Sequence, residues 1–281
     1  MRDPAEAAIP GNLQPATEKT SRVQLALKLG LFSLGITVCV LVYLFLLSLT
    51  RGKDLSSLAA APLAAGCLML NFIFLRREQK SLSSLGIGSF SKMALRFGSG
   101  FSIGGIMVMG WAIAVALLTS AHWEWRGLTL NAGVANLVAF YFLNSLGEDL
   151  AYRGYAFLKL EEAFGPWPTI IGTSALFALL HVLGGVPWAS AFAGVFTSGL
   201  VFGLIFSVSK SLPMAFGCHF ATNIIQDIFG LRASPFSVLR PDFSTPVSER
   251  TGIIILAMVA CINLAVLLII AARHRRTRSQ K

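Results

Sequence analysis

Six side chains in this sequence are of types and spacings that could do chemistry together: Glu148, Asp149, Arg153, His181, His219 and Asn223. They are polar, mostly ionisable groups set in three neighbouring oily stretches, FYFLNSLGEDLAYRGY, TSALFALLHVL and MAFGCHFATNII. A charge near the middle of a bilayer costs about 2.5–3.5 kcal/mol on insertion scales, so such groups pair, face water or work. On a helix Asp149 and Arg153 stand four apart on one face, acid before base, the order that favours an ion pair. Glu148 lies ~100° from Asp149 and ~140° from Arg153 around that helix, and the spacing leaves it with no local partner. An unpaired carboxylate in low dielectric suits a general base. The structural alternative is a carboxylate at the cytoplasmic interface, in water.

His219 and Asn223 are again four apart, with Asp227 one turn further along the same stripe. A histidine and an asparagine aimed together suit a developing negative oxygen. Both residue types also serve as hydrogen-bonding glue between membrane helices. His181, alone on the apolar face of Phe177-Ala-Leu-Leu-His181, reads in isolation as a packing residue. Its place relative to Glu148 says more. Reversal of the chain at Gly165-Pro166 puts both residues ~24–26 Å from the turn on an antiparallel helix pair, at 1.5 Å rise per residue.

The elements that must hold these residues are membrane helices. Hydrophobic residues make up 55% of the 281 and charged residues 13%, with a mean hydropathy of +0.70. Soluble domains carry about 25% charged residues. The expected fold is therefore all-α, a polytopic membrane protein with about eight transmembrane helices. The spans fall near 25–49, 56–75, 97–119, 131–150, 167–185, 190–209, 212–230 and 251–272. Residues 1–22 read as a disordered polar N-terminus, 23–272 as the transmembrane helical domain and 273–281 as a basic cytoplasmic tail. The stretch 78–95 is too polar to span and is expected along the cytoplasmic interface.

Of the 23 Lys and Arg, 17 fall on the face that holds both termini under this reading and 6 on the other, which places both termini in the cytoplasm. The net charge of +10 is thus a matter of orientation and anionic lipid, and nucleic acid is excluded as a partner. Cys39, Cys67, Cys218 and Cys261 are scattered singly in apolar runs and read as small buried hydrophobes. Gly100 with Gly104, and Gly199 with Gly203, are G-x-x-x-G pairs expected at close helix contacts.

Taken in order, E-D-x-x-x-R at 148–153, F-x-x-x-H at 177–181 and H-x-x-x-N at 219–223 resemble the type II CAAX prenyl endopeptidases, the CPBP family of intramembrane proteases. The resemblance covers residues 130–228. Asp149 stands where that family usually has a second glutamate, and Glu161-Glu162 is not a second copy of the motif because Pro166 replaces the arginine. The resemblance implies an endopeptidase that hydrolyses membrane-associated peptides or proteins near the cytoplasmic face. In it Glu148 would be the general base and His181 would help hold the attacking water. His219 and Asn223 would form the oxyanion hole, braced by Asp149 and Arg153.

No cofactor is expected. Zinc is the alternative, on Glu148, His181 and His219, a ligand set of hydrolytic zinc sites, although the H-E-x-x-H spacing is absent. The implied partners are membrane lipids and a peptide or protein substrate, and the implied location is the plasma, or inner, membrane. Two further readings use the same polar set. One is a non-catalytic relative that binds peptides or scaffolds membrane proteins. The other is a proton-coupled transporter, although transporters usually show two such halves and only one half here is polar.

Overall fold

The computed structural model describes residues 22–50, 55–127, 131–232, 234, 237–243 and 245–279. The expected disordered lead therefore lies outside the described residues, except for Arg22, which opens the first helix. In lipid a backbone must satisfy its own N–H and C=O groups, so apolar runs of this length become helices. They are α1 (Arg22–Thr50), α2 (Ser56–Arg77), α3 (Phe90–Thr119), α4 (Ala132–Tyr152), α5 (Tyr155–Phe164) and α6 (Pro166–Leu183). A continuous helical run follows, made of α7 (Trp188–Ser190), a π-helical stretch Ala191–Phe196 and α8 (Thr197–Ser209). Then come α9 (Leu212–Ile228) and α10 (Glu249–Ser279). Short strands β1 (His122–Trp125) and β2 (Leu239–Asp242) pair antiparallel, His122 opposite Asp242, tying the α3–α4 connection to the α9–α10 connection.

Among the described residues, six helical stretches are long and apolar enough to cross a membrane: Arg22–Thr50, Ser56–Arg77, Leu82–Thr119, Pro166–Leu183, Trp188–Ser209 and Glu249–Thr277. The chain is an integral membrane protein. The other two expected spans are also helices, α4 and α9, and they are the two that carry most of the polar set. Asn136, Asn144, Glu148 and Asp149 dilute the apolar character of α4, and α9 has only 17 residues. Within the expected interfacial stretch 78–95 the chain makes a 3-10 turn at Leu82–Leu85, closed by Gly86 at φ 73°, and α3 begins already at Phe90. The expected tail is helical in continuation of α10 as far as Ser279.

Both G-x-x-x-G pairs sit at helix contacts. Gly100 and Gly104 of α3 face the backbone of Met214 and Cys218 on α9, where a Cβ would overlap a carbonyl. Gly199 and Gly203 lie against Ser174 and Ile170 of α6, where a Cβ would come within 3.1 Å and 3.3 Å. The bare glycine faces let α9 settle between α3 and α4, and α8 against α6. Cys67 and Cys218 are buried and Cys39 half-buried, but Cys261 is exposed on α10. A thiol behaves as a small hydrophobe, so an outward face of a spanning helix suits it as well as a core.

One departure from the expected helix pair bears directly on the site. The stretch leading to Gly165 is not one helix: α4 stops at Tyr152 and α5 starts at Tyr155. Buried Asn71 of α2 takes up the backbone groups that the break releases. Its Nδ2 donates to Leu150 O (2.9 Å) and Cys67 O (2.8 Å), and its Oδ1 accepts from the Tyr155 N–H (2.6 Å). Gly154 lies against that amide, with no room for a Cβ.

Beyond the break, an ionic cluster anchors α5. The Glu78 carboxylate accepts from Lys28 (3.0 Å), Lys159 (2.6 Å) and the Tyr155 hydroxyl (2.9 Å). Burial pushes the Glu78 carboxyl up, but the donors from Lys159, Lys28 and Tyr155 outweigh it and hold it at about 2.

Candidate active site

Glu148 and Asp149 lie in the last turns of α4, and Arg153 caps its end. His219 and Asn223 lie on α9, which packs against α4. Spacing on one helix produces the first contact: Arg153 Nη1 reaches Asp149 Oδ1 at 3.2 Å, with both side chains fully buried. A buried guanidinium needs partners for its charge and its remaining donors. Nη2 donates to the Gly199 carbonyl of α8 (3.4 Å), and the cation stands 4.9 Å from the Phe177 ring centroid and 5.4 Å from that of Phe202. Its Nε hydrogen-bonds none of the described residues.

The second oxygen of Asp149 faces the other helix. Oδ2 stands 3.2 Å from His219 Nδ1. An ionised carboxylate only accepts, so Nδ1 carries a proton in this contact. The Phe202 ring stacks on the imidazole (4.8 Å, 23°) and the Phe177 ring meets it edge-on (5.7 Å, 85°). With two rings and a carboxylate around it, the imidazole has one orientation, and that orientation turns Nε2 toward Glu148, 3.5 Å from Oε2.

Glu148 is not left without a local partner, as its spacing from Arg153 suggests. Asn144, one turn earlier on α4, donates from Nδ2 to Glu148 Oε1 at 3.0 Å. The two neighbouring acids nevertheless differ in solvent access, 21% for the Glu148 side chain against 0% for Asp149. Only the first has room to meet a water or a substrate.

Asn223 is half-buried one turn beyond His219, and its Nδ2 donates to Ser145 Oγ of α4 at 2.9 Å. His181 is also half-buried and stands apart from the rest. Its Nδ1 bonds to the Phe177 carbonyl one turn back (2.9 Å), and its ring packs edge-on against Phe177 at 4.5 Å. Phe177 touches both imidazoles, so a phenyl ring links His181 to His219. The matched heights expected of Glu148 and His181 presupposed a continuous helix up to Gly165, and the break at Arg153-Gly154 removes that premise.

The structure thus gathers Glu148, Asp149, Arg153 and His219 in one contact set, with Asn223 a turn away and His181 behind Phe177. Glu148, His181 and His219 do not gather as zinc ligands. Among the described residues, the His, Cys, Asp and Glu ligand atoms that come within 4.8 Å of one another in threes are those of His122, Glu124 and Asp242. That trio is exposed on β1 and β2, with His122 3.4 Å from Asp242 and Glu124 paired to Arg126 at 2.9 Å, so ion pairing accounts for it.

Sequence reasoning missed four contributors: Asn144, Ser145, Phe202 and Arg232. The first was within reach of the four-residue rule that found Asp149 and Arg153, applied toward the N-terminus from Glu148. Ser145 and Phe202 meet the site across helix contacts, and Arg232 folds back on Asn223 from beyond the end of α9, so no helical spacing signals them.

The family model described as type II CAAX prenyl endopeptidase Rce1-like matches residues 129–225, about a third of the chain and the segment that holds all six expected site residues. No curated protein and no solved structure is matched by the chain.

Proposed function

We propose that this chain is an intramembrane endopeptidase of the CAAX-protease type, which hydrolyses peptide bonds of membrane-associated peptides or proteins near the cytoplasmic face, and that Glu148 is its general base. The observation that carries the reading is one imidazole held between two acids of unequal exposure: His219 with Nδ1 on buried Asp149 and Nε2 toward accessible Glu148. Scattered packing residues on two helices have no reason to adopt that order, and the pair lies in the segment with the Rce1-like match.

In the proposed reaction Glu148 takes a proton from a water as the water attacks the scissile carbonyl. It later returns that proton to the leaving amine. Charge develops on the carbonyl oxygen, where Asn223 Nδ2 and His219 Nε2 are the donors at hand. Since Asp149 already takes the Nδ1 proton, donation from Nε2 requires the ring to carry both protons. His181 contributes differently. Its Nδ1 donates to the Phe177 carbonyl, so in the neutral ring the Nε2 lone pair is left to accept from a water. Asp149 and Arg153 hold the imidazole in place. The proposal routes no step through a metal; the separation of His181, behind Phe177, from Glu148 and His219 supports that choice.

The test uses protein purified into vesicles and a quenched fluorogenic peptide ending in prenylated Cys-aliphatic-aliphatic-X. Wild type should cleave it, and Glu148→Gln should lose ~10²–10⁴-fold in rate while still accumulating as folded protein. A strong chelator should leave the rate unchanged. Retention of most activity by Glu148→Gln would overturn the mechanism. Stoichiometric zinc that disappears together with activity in His219→Ala would restore the metal. The 17-to-6 distribution of Lys and Arg supports cytoplasmic termini. Reporters fused to either end should read the cytoplasm, and a signal from the opposite side would reverse that orientation.

A further inference from the structure

The side-chain amide of Asn223 has a partner on each side. Nδ2 donates to Ser145 Oγ on α4 (2.9 Å), and Oδ1 accepts from Arg232 Nη2 (3.3 Å). Arg232 follows the end of α9, is exposed, and lies beyond the residues of the family match. Its Nη1 stands 3.5 Å from the Tyr141 hydroxyl, and its guanidinium carbon lies 5.7 Å from the Tyr141 ring centroid. The buried Asp227 carboxylate lies one turn past Asn223, and neither of its oxygens hydrogen-bonds any of the described residues.

An asparagine amide can occupy its site in two orientations that exchange oxygen and nitrogen. Ser145 does not choose between them, because a hydroxyl both donates and accepts. Arg232 does choose. A guanidinium donates only, so a flipped amide would press N–H against N–H and lose the bond. With Oδ1 on Arg232, the nitrogen faces Ser145, three residues before Glu148 on α4 and hence on a neighbouring part of that helix surface.

We infer that Arg232 is a positioning residue for the reaction: it holds the Asn223 amide with its nitrogen toward the base and its second N–H available to the oxyanion. A cation on Oδ1 also polarises the amide and strengthens that donor. The inference rests on the role proposed for Asn223 above.

The experiment measures kcat and KM on the prenylated fluorogenic peptide. Arg232→Ala should lower kcat about 10- to 100-fold with KM unchanged, less than the ~10²–10³-fold expected when Asn223→Ala removes the donor itself. Arg232→Lys, which also can only donate, should recover most of the rate. Arg232→Gln keeps bulk but both donates and accepts, so it should behave like Arg232→Ala. In an Asn223→Ala background Arg232→Ala should add no further loss, since no amide remains to be held.

Losses that add in the double variant would overturn the inference. So would a rise in KM at constant kcat that disappears with a C-terminally amidated peptide, since Arg232 would then be binding the substrate carboxylate. A wild type that leaves the peptide intact sinks the proposed function and this inference with it. An active wild type matched by Arg232→Ala sinks this inference alone.

Discussion

Asp149, Arg153 and His219 form one ionic cluster and Glu78, Lys28 and Lys159 another, built from the same kinds of group in different solvents. In the first, Asp149 and Arg153 are fully buried and the His219 side chain keeps only 5% of its exposure. In the second, Lys28 keeps 43%, Lys159 14% and Glu78 12%. A buried cluster has no water to fall back on. Each charge must find fixed partners, here the Gly199 carbonyl and the faces of Phe177 and Phe202, and the result is a histidine with one orientation. The outer cluster keeps long lysine stems and some water, so it can rearrange. The inner arrangement suits positioning for chemistry, whereas the outer one suits holding α5 to the ends of α1 and α2.

The inner cluster depends most on Arg153. Arg153→Met keeps much of the side chain's length but takes the cation from beside the Asp149 carboxylate, in a site closed to solvent. Folding stability should fall by about 3–5 kcal/mol, the usual cost of removing one partner of a buried pair. Thermal unfolding of the purified protein, together with its yield, checks this. A shift no larger than that of a surface variant would mean that water reaches Asp149 and that the two clusters do not differ in kind.

Glu78→Gln should cost much less, about 1 kcal/mol at neutral pH, because partly exposed pairs are screened and their lysines can find water instead. The difference should shrink in high salt. Its pH dependence sharpens the contrast. Glu78 is held at about 2 in the folded protein, below the ordinary value near 4.3 for an unfolded glutamate. Its contribution is therefore complete above the unfolded value and is lost as pH falls through about 2. Unfolding midpoints of wild type and Glu78→Gln should converge over that acid window, and parallel curves down to pH 2 would show that Glu78 is not the residue that titrates.

Much of the site was legible because its geometry is local. Asp149 and Arg153 pair because they are four apart on one helix, and the contact is there at 3.2 Å. Asn144 obeys the same rule toward Glu148 and was readable on the same grounds. The G-x-x-x-G pairs were legible for a related reason, since a glycine face predicts close approach whichever helix fills it. The height argument for His181 loses its premise because the break after Tyr152 is completed by Asn71, a partner on another helix and far away in sequence. Gly154 marks the place, but glycine is common within membrane helices and does not by itself announce a break.

The amino-acid sequence by itself determined the membrane class, the helices that carry polar groups and the angular position of each such group around its own helix axis. Those follow from hydropathy and from a fixed 3.6-residue period, which act within a single segment. Only the tertiary structure decided that His219 Nδ1 meets Asp149 while Nε2 faces Glu148, that Phe177 stands between the two histidines, and that Arg232 reaches Asn223. The physical reason is that distances between helices depend on how far each slides and rotates against its neighbours. Those shifts are set by the whole packed bundle, down to the glycine faces that admit α9 between α3 and α4.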